Sequence, residues 1–141
     1  METKDKISGY LNAHSPAKSA ELHELHEYFL KLMPGSKLWF LDGRNEDGKI
    51  VSNPNIGYGS IQLKMAGGKT REFYQFGLSA NTTGISIYVM GLEDKNYLKE
   101  NYAPQLGKAQ VSGYCIKFRS LKDIHLPVVG ELIRDVLNHS G

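Results

Sequence analysis

The chain has 141 residues, 40% hydrophobic and 23% charged, which suits one ordinary globular domain that can bury a core without staples. Seventeen Lys and Arg against fifteen Asp and Glu leave a net charge of +2, too small to point to nucleic acid or a membrane unless the charges cluster. The single cysteine, Cys115, excludes an intramolecular disulfide and a multi-thiolate zinc site, and no stretch nears the ~20 apolar residues of a membrane helix. The first residues lead into no apolar run, so no signal peptide is expected. The expectation is one soluble, cytoplasmic domain over residues 1–141, with its core at about 5–138 and no membrane partner.

A short helix is predicted at about 4–12, with Ile7, Tyr10 and Leu11 as its apolar face. A longer one follows at 16–33: Ser15 is a suitable N-cap, Pro16 fits the first turn, and Pro34-Gly35 closes it. Leu22, Leu25, Phe29 and Leu32 recur on its buried stripe. Leu38–Leu41 reads as a short strand or a buried turn and Asp42–Gly48 as a polar loop. Strands are expected near 57–65, 71–79, 84–90 and 113–119, the first three forming an antiparallel meander through turns at 66–69 and 81–84. A helix at 93–102 and a last one at 127–138 complete the chain. Helices, then strands, then helices define an α+β fold class.

Period-two alternation divides the strands into faces. Ile61, Leu63, Met65, Tyr74, Phe76, Leu78, Ile85, Ile87, Val89, Tyr114, Ile116 and Phe118 are expected to face the core. Tyr58, Ser60, Gln62, Lys64, Arg71, Phe73, Gln75, Ser86, Tyr88, Met90, Cys115, Lys117 and Arg119 are expected to face outward. Aromatic rings interleaved with Lys and Arg suit stacking on planar groups and attraction of anions, so Tyr58, Lys64, Arg71, Phe73, Tyr88, Lys117 and Arg119 are the candidate ligand-binding residues. The same pattern also suits a plain solvated sheet face, or one covered by the helix at 93–102.

Four segments carry a family resemblance: Asn55–Ser60 (Asn-Ile-Gly-Tyr-Gly-Ser), Lys69–Tyr74 (Lys-Thr-Arg-Glu-Phe-Tyr), Gly84–Gly91 and Ser112–Phe118. In this order they resemble the YdhG-like family, a bacterial domain of unknown function, over about residues 5–138. The resemblance implies a frataxin-like fold: a curved antiparallel sheet packed on one face by N- and C-terminal helices. A relative in that family is described as an intracellular iron chaperone, so the resemblance also brings iron into consideration. In this chain the acidic ridge of the first long helix is interleaved with histidines and lysines.

That helix carries Glu21, His23, Glu24, His26 and Glu27. His23 and His26 are three apart and His23 and Glu27 four apart, spacings at which imidazole and carboxylate can share a divalent ion. The second histidine comes one residue too early for a zincin motif. The alternative is a solvated face on which Glu27 pairs with Lys31.

Gly68-Lys69-Thr70 lacks the first glycine and the following helix of a phosphate loop, and Gly57-Tyr58-Gly59 lacks the third glycine of a dinucleotide fingerprint. Cys115 lies mid-strand with no histidine beside it, and His125 reads as a helix-entry residue. Two functions stand as expectations. One is a non-catalytic module binding a small anionic ligand, RNA or protein on the open sheet face. The other is an iron or metal chaperone working through the five helix residues. An enzyme is the least supported reading, and no catalytic residue is assigned.

Overall fold

The computed structural model describes residues 2–139. Helix α1 (Thr3–Leu11) and helix α2 (Pro16–Leu32) form where the sequence predicts them. Ser15 Oγ accepts the Lys18 N–H at 3.4 Å to cap α2. Strands β1 (Leu38–Leu41), β2 (Asn55–Tyr58), β3 (Ile61–Lys64), β4 (Thr70–Phe73), β5 (Phe76–Asn81) and β6 (Gly84–Val89) follow. Of the helix expected at 93–102 only α3 (Tyr97–Asn101) forms, and a further short helix, α4 (Ala103–Leu106), follows it. Strands β7 (Gln110–Val111) and β8 (Cys115–Phe118) precede the closing helix α5 (Leu126–His139).

Six strands form one antiparallel sheet in the order β1-β2-β5-β6-β8-β7, and β3 and β4 pair separately as a hairpin. The strands expected at 57–65 and 71–79 are therefore each broken, at Gly59-Ser60 and at Tyr74-Gln75. Gly59 takes φ +80°, and a Cβ there would stand 2.8 Å from Met33 Cε, so the chain can turn out of the sheet only at a glycine. β2, β5 and β6 lie side by side as the meander requires, while the β3–β4 arm leaves the sheet.

Ile56, Tyr58, Phe76, Leu78, Ile85, Ile87, Val89, Ile116 and Phe118 belong to a single buried cluster. Each of the five helices contributes to it, among others through Ile7, Leu25, Leu98, Leu106 and Leu132. Each large apolar side chain so buried contributes roughly 1.5–3 kcal/mol, which makes this side the dominant source of stability. All five helices thus feed one core, and the opposite face of the sheet carries no helix among the described residues. The fold is α+β, with a helical layer on one sheet face.

Several faces differ from the alternation read in the sequence. Tyr58 is only 1% exposed and stacks on Phe29 at 4.4 Å within the core, because β2 is in phase with Ile56 and not with Ile61 beyond the Gly59 turn. Tyr74 lies on the outer side. A Cβ on Gly57 would meet its Cδ2 at 2.3 Å, and one on Gly77 its Cε1 at 2.8 Å. Met65 and Tyr114, both expected inside, are exposed. Ile61 pairs directly with Phe73, and Leu63 with Arg71, so these four share one hairpin face instead of lying on opposite ones.

Candidate binding face

The outer face is built in rows across the sheet. The pairings Trp39↔Gly57, Gly57↔Gly77, Gly77↔Tyr88 and Tyr88↔Cys115 align one row. In the next, Ser79 pairs with Ser86, Ser86 with Lys117 and Lys117 with Gln110. The two glycines of the first row leave the space that the Tyr74 ring fills. Phe73 stacks on Tyr74 at 4.2 Å and meets Trp39 edge-on at 5.9 Å, which docks the β3–β4 hairpin beside the sheet. Farther along, Tyr88 and Tyr114 stack at 6.3 Å with ring planes 21° apart, and Tyr114 is 56% exposed.

Cations attend these rings. Lys37 Nζ stands 4.3 Å from the Trp39 centroid, and the Arg71 guanidinium carbon 4.9 Å from that of Phe73. Lys37 also pairs with Glu72 at 3.3 Å, and the Ser60 hydroxyl donates to Glu72 at 2.6 Å. These two partners, Ser60 first, hold the Glu72 carboxyl below its ordinary range. The phenols do the opposite. Burial, with smaller contributions from Tyr88, Cys115 and Tyr114, pushes Tyr74 upward. Burial also raises Tyr88, against hydrogen bonds from Ser86 and Ser79. Burial pushes the Cys115 thiol up and Lys117 only partly offsets it, so the thiol stays protonated at neutral pH. Apart from the Glu72 carboxylate paired with Lys37, the face therefore presents uncharged rings and positive side chains, a surface for stacking and anion attraction, and its one thiol is not activated.

Lys117 leads from this face into a cleft of about 460 Å³ at the end of the sheet, where the β5–β6 turn approaches β7 and β8. Lys108, Lys117 and Arg119 line it beside Asn81, Thr83 and Gln110, and no carboxylate is in the lining. A second cleft, of about 620 Å³, lies between the hairpin and the segment after β6 and includes Glu93 and Asp94. Next to it, the Tyr97 and Tyr102 hydroxyls both donate to Asp135.

Of the seven candidate ligand-binding residues, the structure places Tyr88 and Lys117 on one open face and Arg71 and Phe73 at its hairpin margin. Arg119 lines the cationic cleft. Lys64 stands apart, 3.8 Å from Glu93 across an exposed pair. Tyr58 is removed from the set by its place in the core. Trp39, Tyr74, Lys108 and Tyr114 join instead. Trp39 lies hidden in a run of four apolar residues, and alternation alone puts Tyr114, just before β8, on the core side although it is exposed beside Tyr88.

The five candidate metal ligands do not converge. Glu21 accepts the Leu121 N–H at 2.8 Å and the Ser120 hydroxyl at 3.2 Å. His23 Nε2 is hydrogen-bonded to Asn12 Oδ1 at 3.0 Å, and His26 Nδ1 to the Tyr58 hydroxyl at 2.6 Å. Glu24 and Glu27 are exposed. Among the described residues, no group of three or more His, Cys, Asp or Glu side chains is placed to hold a metal ion. No described helix is long and apolar enough to cross a membrane.

Fold and face together define an α+β domain with one helix-backed and one aromatic, cationic sheet surface. No model of a known protein family, no curated protein and no solved structure matches the chain.

Proposed function

We propose that this chain is a non-catalytic binding module whose outer sheet face takes a small anionic ligand. The observation that carries the reading is the stack of half-buried Tyr88 with exposed Tyr114, and Lys117 on the same sheet face, on the side opposite the helical layer. Rings supply a stacking platform and the ammonium supplies charge attraction, a combination that binds without any reacting group. The antiparallel sheet, backed on one face by the first and last helices, also supports the YdhG-like resemblance and its frataxin-like fold as part of this proposal.

The test is an amide-resolved NMR titration of the full chain with adenosine monophosphate at low salt. Shifts centred on Tyr88, Tyr114 and Lys117, and weakened at least tenfold by Tyr114→Ala, support the reading. Shifts elsewhere, or none at millimolar ligand, overturn it.

A further inference from the structure

We propose that the cleft lined by Lys108, Lys117 and Arg119 is a phosphate subsite, and that the ligand class of the outer face is a nucleoside phosphate. The inference rests on the binding face described above for the ring and adds the cleft for the charge. Three features argue for it.

First, the cleft concentrates positive charge in a nearly neutral protein. Among the described residues, Lys108, Lys117 and Arg119 are in no ion pair, and the lining contains no acid to neutralise them. Lys18, outside the lining, brings a third ammonium to the same turn, donating to the Asn81 carbonyl at 2.6 Å. The Glu21 carboxylate is turned to Ser120 and Leu121. A guanidinium with two ammonium groups around one concavity suits a multiply charged oxyanion better than a single carboxylate.

Second, the rim is ordered before any ligand arrives. Asn81 Oδ1 accepts from both the Thr83 N–H at 3.0 Å and the Thr83 hydroxyl at 2.8 Å. Its Nδ2 donates to Ser86 at 3.1 Å. The β5–β6 turn is therefore held in shape, which lowers the entropy cost of binding.

Third, the spacing joins the two subsites. Tyr88 is opposite Cys115, and Lys117 is two residues farther along the same strand face. That step is about 7 Å, of the order that a ribose bridges between its base and its phosphate. A ring on Tyr88 and Tyr114 thus points its phosphate toward Lys117 and the cleft.

The experiment compares inorganic phosphate, adenosine, adenosine monophosphate and a short oligoadenylate on the full chain, by NMR and calorimetry at low salt. Inorganic phosphate is expected to shift Lys108, Lys117 and Arg119 without moving Tyr114, and adenosine to do the reverse. The monophosphate should shift both sets and bind at least tenfold more tightly than adenosine. Replacing Lys108, Lys117 and Arg119 together by Gln should erase that advantage, with the unchanged remainder of the spectrum reporting an intact fold. Tyr114→Ala should weaken the monophosphate while leaving inorganic phosphate unaffected. An oligoadenylate binding more tightly than the monophosphate assigns the phosphate to a single strand, and equal affinities assign it to a free nucleotide; both support the inference. Adenosine shifting Tyr88 and Tyr114 with no gain from the phosphate overturns the inference and leaves only the stacking half of the binding face standing. No response of the tyrosines to any of the four overturns both.

Discussion

Tyr58 and His26 show how one residue's surroundings decide its role. His26 borders the helix stripe, half-buried, and its Nδ1 meets the Tyr58 hydroxyl at 2.6 Å while the phenol ring stacks on Phe29. Removing that hydroxyl leaves a partly buried imidazole nitrogen without its partner, so Tyr58→Phe is expected to cost about 1 kcal/mol, read from urea unfolding. Burial, aided by His23 and opposed by Glu27, holds His26 below its ordinary value of 6.5. His14 is lowered too, by burial and then by Lys18. The folded state therefore binds fewer protons than the unfolded chain once the pH falls below about 6.5, and stability declines from neutral toward acidic pH. His26→Gln should flatten that decline in urea midpoints measured across this range, leaving the His14 part. A decline of undiminished steepness in the variant would refute the assignment. At the same scale, Gly57→Ala drives a methyl into Tyr74 and is expected to destabilise by about 1–3 kcal/mol. In a Tyr74→Ala background Gly57→Ala should cost less than in the parent, a non-additivity that a double-mutant cycle measures directly.

Among the elements, α2 was the most legible because local chemistry marked both its ends: Ser15-Pro16 starts it and Pro34-Gly35 stops it. The β2–β3 and β4–β5 stretches were not, since continuous alternation cannot reveal a turn that only backbone conformation makes. Gly59 was the available signal: a left-handed glycine between Tyr58 and Ile61 resets which side chains are inward. β7 is two residues long and carries no period to read. The binding face was accordingly half visible: Tyr88 and Lys117 followed from parity within the unbroken β6 and β8, while Trp39, Tyr74 and Lys108 needed register and tertiary packing. Glu21 belongs here too, because it ties α2 to the 3₁₀ turn Leu121–Asp123. Glu21→Ala should cost about 1–3 kcal/mol in denaturant unfolding. A loss of stability without any change in iron affinity would identify it as a structural link, whereas abolished iron binding would return it to the metal ligands.

For the whole molecule, the division of labour is between faces. The helical side holds the stabilising core, and Phe29→Ala within it should cost about 3–5 kcal/mol in thermal or chemical unfolding. The other side is expected to contribute affinity, with the packed Tyr74 ring as its stabilising contact. With a net charge of only +2, any anion affinity is local to Lys108, Lys117 and Arg119, so it should fall with added salt and change little when distant lysines such as Lys4 and Lys6 are replaced. Calorimetric titrations between low and physiological salt check this.

The ring of Tyr74 resting over two side-chain-free positions has a mechanical corollary. It acts as a latch between the hairpin arm and the main sheet: the arm cannot swing away without lifting the ring and laying bare the backbone at Gly57 and Gly77. Hydrogen-exchange rates at those two amides therefore serve as a gauge of arm opening, and a guest that clamps the arm should slow both together.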